Sequence, residues 1–342
     1  MKPEEKKSLF KKVIAQRETT VFSIILLAVV IVSVIEPKFL NVPNLRSIAI
    51  AVSTDGLLSV GLCLVLILGG IELSVGGVAA MACVITGYLC LHGVNVWAAC
   101  LISLLCGVAV GVFNGLVISK IGLPPFIVTL STMNLSRGVA YIITEGSPLS
   151  LSGSLPDSFR YLATGRMMGT PMLFVIFCVV VVIAYVFTKK SNICRNIFFV
   201  GSNENAAKFS GINVDKVKIW VYIVVAILSS IAGILSLARF NVATPELSKG
   251  AETTAISAAV IGGTSMSGGV GSVLGTFMGI ILLKIVNSAL VMLNVSVYWQ
   301  NFVQGAILVI AVTMDYLSQR KNGSANPFLR LLGLDRFFKI SG

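Results

Sequence analysis

Gly56-Leu57-Leu58-Ser59-Val60-Gly61-Leu62-Cys63-Leu64-Val65-Leu66-Ile67-Leu68-Gly69-Gly70-Ile71-Glu72-Leu73-Ser74-Val75-Gly76 is the stretch on which the fold turns. From Leu57 to Leu68 nothing is charged, and the apolar run reaches back to about residue 48. Crossing roughly 30 Å of hydrocarbon at 1.5 Å per residue takes about 20 residues, so 48–68 is long enough to span a bilayer. Gly69-Gly70 then weakens the helix by roughly 1 kcal/mol per glycine relative to alanine. Glu72 and Ser74 follow while the sequence is still apolar, which describes a membrane helix that breaks.

The rest of the chain repeats that reading. Of 342 residues 56% are hydrophobic and 12% charged, against about 25% charged in a soluble domain. Ten apolar stretches are present, near 20–36, 48–68, 71–91, 96–118, 124–144, 170–188, 217–238, 251–266, 270–291 and 297–315. The expectation is an all-α polytopic membrane protein of about ten transmembrane helices, some broken. A basic arm (1–19) precedes one membrane domain (20–316), and a tail (317–342) follows it. The first apolar run ends at Glu36-Pro37-Lys38 instead of a small-residue cleavage site, so it reads as a retained anchor.

Charge sets the orientation. The net charge is +12, and its placement argues for topology rather than a nucleic-acid ligand. Lys2, Lys6, Lys7, Lys11, Lys12 and Arg17 precede the first span. Lys189, Lys190, Arg195, Lys208, Lys216 and Lys218 crowd the loop 189–216. Arg320, Lys321, Arg330, Arg336 and Lys339 follow the last span. Basic residues flank cytoplasmic ends of membrane helices, so both termini and the 189–216 loop are expected inside. The loops 145–169 and 239–250 are then outside. The seven cysteines form no C-x-x-C pair, and His92 is the only histidine, so a metal site is not expected.

A shift of 193 residues lays Gly69–Gly76 over Gly262–Gly269 with four identities, an internal echo that suggests a repeat. Irregular backbone at membrane depth is tolerated where protein or a watery cavity surrounds it. Gly69, Gly70, Glu72, Ser74, Gly262, Gly263 and Ser267 therefore read either as lining a translocation pathway or as close helix packing through glycine. Asn114, Thr129, Gln300 and Gln304, with the aromatics Phe126 and Trp299, would suit an uncharged, hydroxyl-rich solute. Intramembrane charge is expensive; besides Glu72, Arg137 is open to pairing with Glu145 or to a structural role, and Lys284 is expected to snorkel toward an interface. In the basic loop, Asn203 can cap a short helix of Glu204-Asn205-Ala206-Ala207-Lys208-Phe209-Ser210 that Gly211 stops. That helix is either a docking lever for a soluble partner or an ordinary loop helix. No Walker A loop is present, so any ATP is bound by another chain.

Read in order, Gly69–Gly77, Pro124–Met133, Ser136–Gly138, Gly201–Ile212, Ala259–Ser272 and Tyr298–Gln300 resemble the signatures of ribose-type ABC importer permeases, over about residues 20–320. The resemblance implies a bacterial inner-membrane subunit without enzymatic activity or a cofactor of its own. It implies a second permease copy or close paralogue, a cytoplasmic ATPase carrying ATP and Mg²⁺, and a periplasmic or lipid-anchored sugar-binding protein. Asn203–Gly211 would then be the coupling helix. Relatives commonly carry Asp where this chain has Glu72. Two other readings stand beside this one, an ion-coupled secondary transporter and a membrane scaffold or receptor.

Overall fold

The computed structural model describes residues 17–321. The arm cations Lys2, Lys6, Lys7, Lys11 and Lys12, the tail cations Arg330, Arg336 and Lys339, and the expected placement of both termini lie outside the described residues. Within them the chain is a bundle of helices: α1 Arg17–Ile35, α2 Val42–Ile67, α3 Val75–Leu91, α4 Val96–Leu116, α5 Pro125–Thr144, α6 Asp157–Thr164, α7 Met172–Lys190, α8 Asn192–Ser202, α9 Glu204–Phe209, α10 Val214–Phe240, α11 Ala251–Ile261, α12 Val273–Met292 and α13 Val297–Lys321. Two short antiparallel pairs join loops: β1 (Leu149–Ser150) with β4 (Val242–Ala243), and β2 (Arg166–Met167) with β3 (Thr170–Pro171).

Seven of these helices are long and apolar enough to cross a membrane, and three apolar helices, Thr19–Ile35, Val75–Leu91 and Ala251–Ile261, are shorter. Together they fall on the ten apolar stretches. Helix ends sit where capping chemistry is available. Asn95 accepts from Trp97 N at 2.9 Å, Asn213 from Lys216 N at 3.0 Å and Ser272 from Gly275 N at 3.1 Å, each satisfying an orphan donor of a first turn.

α2 and α10 form the buried centre, and α13 is the most exposed of the long helices. α10 packs on α4 through Gly107, Gly111 and Gly115, where a Cβ would meet Ser230, Ala226 (2.8 Å) and Ile219 (2.7 Å) in turn. Small residues at this spacing let two membrane helices approach closely. The pairing also serves as a ruler. Gly115 and Gly70 stand level with Ile219 and Tyr222 in the first third of α10, whereas Ala79 stands against Gly233 in its last third. Ile71–Ser74 thus climb through the interior as non-helical chain, and α3 begins at depth. The span expected at 71–91 is correspondingly a shorter helix, because the αL turn at Gly69 and the Glu72 side chain occupy its first turn.

The second break corrects the expectation for 251–266 in the same way. α11 stops at Ile261, and Gly262-Gly263 turn the chain away. Its start also lies inside: Gly76, at the head of α3, faces the Ser248 carbonyl (2.5 Å from a Cβ) and Glu252 (3.0 Å). These two shorter helices, α3 of 17 residues and α11 of 11, therefore begin side by side and run to opposite ends of the bundle. One end, here the basic end, carries Lys189, Lys190, α8 and α9. The other, the hairpin end, carries β1–β4 and joins the 145–169 and 239–250 loops, two segments the sequence treats as separate.

Two charges are placed differently from expectation. Lys284 does not snorkel; its Nζ pairs with Asp55, and both are mostly shielded. Arg137 does not pair with Glu145; it donates to the carbonyls of Pro245 (2.5 Å) and Leu247 (3.3 Å). In each case the partner comes from a distant helix or loop that closes over the side chain before it can reach solvent.

Candidate translocation site and coupling face

The pathway residues expected from sequence fall into separate places. Glu72, Ser74, Asn114 and Thr129 meet in one buried cluster between α3, α4 and α5. Ser74 N donates to Glu72 Oε1 at 2.5 Å, Asn114 Nδ2 to Glu72 Oε2 at 3.4 Å and to Ser74 Oγ at 3.3 Å, and Thr129 to the Ile71 carbonyl at 3.3 Å. The carboxylate thus ties together the unwound Ile71–Ser74 segment, whose backbone groups must be satisfied internally at this depth. Tyr222, against Gly70, closes the cluster from α10.

Gln300 and Gln304 belong to a second place, a polar cavity of about 650 Å³ at the head of α11. Its walls include Asp55, Thr254, Lys284, Asn287 and Asn301. Gln304 donates to Thr254, whereas the Gln300 amide is held by the Val295 carbonyl at 2.9 Å. The volume is in the range of small-molecule sites, roughly 300–1,000 Å³. Amides, hydroxyls and one internal ion pair line it, and the N-terminal turn of α11 opens into it, as at the broken helices of transporters. Asn287 and Asn301 are amides of the same kind as Gln300 and Gln304, legible as a polar stripe on α12 and α13, whereas sequence reading missed Asp55 and Thr254, which reach the site from α2 and α11.

Phe126 and Trp299 join neither place; both are exposed, and Trp299 stacks edge-on with Phe302 at 5.4 Å.

Gly69, Gly70, Gly262, Gly263 and Ser267 gather at the basic end. The two αL glycines are Gly69 (φ 81°) and Gly263 (φ 90°). Gly69 N and Gly70 N return to Leu66 and Val65, and Gly263 N and Thr264 N return to Val260 and Ala259, all at 2.9 Å. The two caps are therefore equivalent at a shift of 194, one residue from the register of the sequence echo, because the αL position takes the first glycine of one pair and the second of the other. The breaks touch each other: Gly269 N donates to the Ile67 carbonyl at 2.8 Å, and Gly268 packs on Gly69. Gly201, near the end of α8, wedges between them. A Cβ there would run into the Ile67 carbonyl oxygen and lie 2.7 Å from Gly269 N.

Directly after this knot comes α9. Asn203 caps it by accepting from Ala206 N at 2.9 Å, and Gly211, at φ 82°, ends it with Gly211 N to Lys208 O and Ile212 N to Ala207 O, both 3.0 Å. Ala207 is buried toward α8 and α10, while Phe209 is 93% exposed. Glu204 bridges Lys218 of α10 at 2.8 Å and Lys208 at 2.9 Å. Hydrogen bonds from Lys218 and Lys208 hold its carboxyl below the ordinary range. Asn205 and Ser210 stand exposed on the same short helix.

Residues 44–312 match the family described as branched-chain amino acid transport system / permease component. The chain belongs to this permease family. It is 34% identical to the ribose import permease of Haemophilus influenzae over 302 residues, covering 88% of this chain and 94% of that one. It is 36% identical to the ribose import permease of Escherichia coli K12 over 296 residues (86% and 92%) and 33% identical to the D-allose transport system permease of the same strain over 298 (86% and 90%). No solved structure matches the permease.

Proposed function

We propose that this permease is the membrane subunit of a binding-protein-dependent ABC importer for a monosaccharide or a related furanosyl or polyol solute. The likeness to permeases named for ribose, D-allose and autoinducer 2 supports that solute class. On this reading the basic end is cytoplasmic, as the positive-inside rule requires, and ten helices cross the bacterial inner membrane. Two copies, or one copy and a close paralogue, act together. A sugar-binding protein docks on the hairpin end, and an ATPase receives α9.

The observation that carries the mechanism is the glycine knot. Residues Asn203–Gly211 form a lever whose preceding helix is wedged, at Gly201, against both helix breaks at once. ATP-driven closure of the partner pushes Phe209 and its helix, α8 moves with it, and the two breaks shift relative to one another. The two helices that start at depth, α3 and α11, then reopen the path on the other side. The permease performs no covalent step. It supplies two packings whose balance its partners bias by contacting each differently. The amide-lined cavity and the Glu72 cluster lie on the path, the former offering hydrogen bonds to sugar hydroxyls and the latter holding the unwound segment in place.

The test is accumulation of labelled ribose in proteoliposomes holding the permease, its ATPase and its binding protein. Uptake that needs ATP and stops with orthovanadate is the expected result. Uptake that ignores vanadate and collapses with an ionophore would instead establish a secondary transporter.

A further inference from the structure

A groove of about 240 Å³ opens on the flank of the bundle near the basic end, between α2, α7, α8 and α10, away from the polar cavity. Leu64, Ile183, Phe187, Cys194, Trp220 and Leu228 are among its walls, and no charged residue lines it. Phe187 and Trp220 stack at 6.5 Å across one side. The chain segments that form its basic end carry four cations: Lys189 and Lys190 follow Thr188, Arg195 follows Cys194, and Lys216 precedes Val217. All four are exposed.

These cations have no acidic partner among the described residues. Asp215 is taken by Lys120, and Glu204 by Lys208 and Lys218. Arg195 donates only to the neutral Asn192 side chain, and Lys189 stands 6.0 Å over the Tyr185 ring. An apolar slot that faces the membrane and ends in unpaired positive charge is complementary to a molecule with a hydrocarbon chain and an anionic head. Lysine and arginine near a membrane surface attract anionic headgroups, and Trp220, on the groove wall, is an amphipathic ring of the kind that favours the headgroup level.

We propose that this groove holds one acyl chain of an anionic phospholipid from the leaflet at the basic end, its phosphate held by Lys189, Lys190, Arg195 and Lys216. The site rests on the membrane placement of the chain and is independent of what it transports. Because α8 forms one wall and carries Gly201 in its last turn, the lipid braces the helix that links the lever to the knot.

The test places the full-length permease in nanodiscs of equal phosphatidylglycerol and phosphatidylcholine, with one or the other carrying a photoreactive acyl chain. Adducts are mapped by peptide mass spectrometry. Labelling of 180–187 and 220–228 by phosphatidylglycerol should exceed that by phosphatidylcholine by about tenfold. Lys189→Gln/Lys190→Gln/Arg195→Gln changes exposed side chains only and should remove the preference. Ala184→Trp should fill the slot and remove labelling by both lipids. Excess glycerol 3-phosphate, a headgroup without a chain, should not compete. Equal labelling by the two lipids, or a preference that survives the triple substitution, would overturn the proposal by reducing the groove to ordinary lipid contact. Loss of labelling when the ATPase is added would overturn it in favour of a protein-covered face.

Discussion

Lys284 and Asp55 are separated by 229 residues and meet inside the bundle. Removing Lys284 takes the direct partner from Asp55, which lines the polar cavity and lies within reach of the Arg239 charge. Lys284→Met should therefore lower unfolding stability by about 1–2 kcal/mol, between an exposed and a fully buried pair, and adding Asp55→Asn should restore most of it; thermal unfolding of the single and double variants in detergent measures both. Glu72 is bound by its acceptor oxygens. Glu72→Gln keeps an oxygen for Ser74 N and should fold and assemble, whereas Glu72→Leu strands the Ser74 N–H at about 1–3 kcal/mol, leaves Asn114 only its Ser74 Oγ acceptor, and should reduce the yield of intact protein on size exclusion. At Glu204 the folded carboxyl titrates below its ordinary value of 4.5. A depressed carboxyl stabilises above the unfolded value and loses that contribution as pH falls through the folded one. Hydrogen-exchange protection in α9, taken relative to the intrinsic rate at each pH, should accordingly be flat from neutral pH to about 5 and fall only below 4.5; a loss of protection near pH 6 would contradict the assignment of Lys218 and Lys208 as its partners.

Among the elements, α9 has the simplest design: a cap at Asn203, a stop at Gly211, one buried face at Ala207 and one bare ring at Phe209. Phe209→Ala should leave the fold unchanged and cut ATPase-dependent uptake by tenfold or more, on the order of 1.4 kcal/mol or greater in docking; co-purification of the ATPase checks it. This helix was legible in the sequence because its signals are local, an asparagine and a glycine at the right spacing. The apolar stretches were legible for the same reason, since each carries its own length and hydropathy. What the sequence hid depends on distant partners. Glycine pairs at 69–70 and 262–263 advertise breaks, but not which glycine turns left-handed, so the repeat reads one residue off. Nothing in 71–74 says that these residues are unwound, because Glu72 acquires its meaning only when α4 brings Asn114 to it. The β1–β4 pair and the Arg137 contacts likewise exist only after the hairpin-end loops close.

For the whole molecule, the shorter helices α3 and α11 begin side by side in the interior and leave toward opposite ends, while the glycine breaks at 69–70 and 262–263 meet in a single knot. A helix bundle with continuous spans would have no such joint. The knot holds both breaks and Gly201 in one contiguous contact, and α9 follows directly after the end of α8; on the proposed reading, a push on α9 therefore reaches the interior without a flexible linker. Gly201→Ala is the most direct probe of that claim. The methyl group forces the Ile67 carbonyl and Gly269 N apart but leaves Phe209 and its cap free to bind the ATPase. Measured as ATP-driven sugar uptake in proteoliposomes holding the assembled importer, the variant should retain its ATPase subunit and lose transport; uptake at the unsubstituted rate would contradict the account.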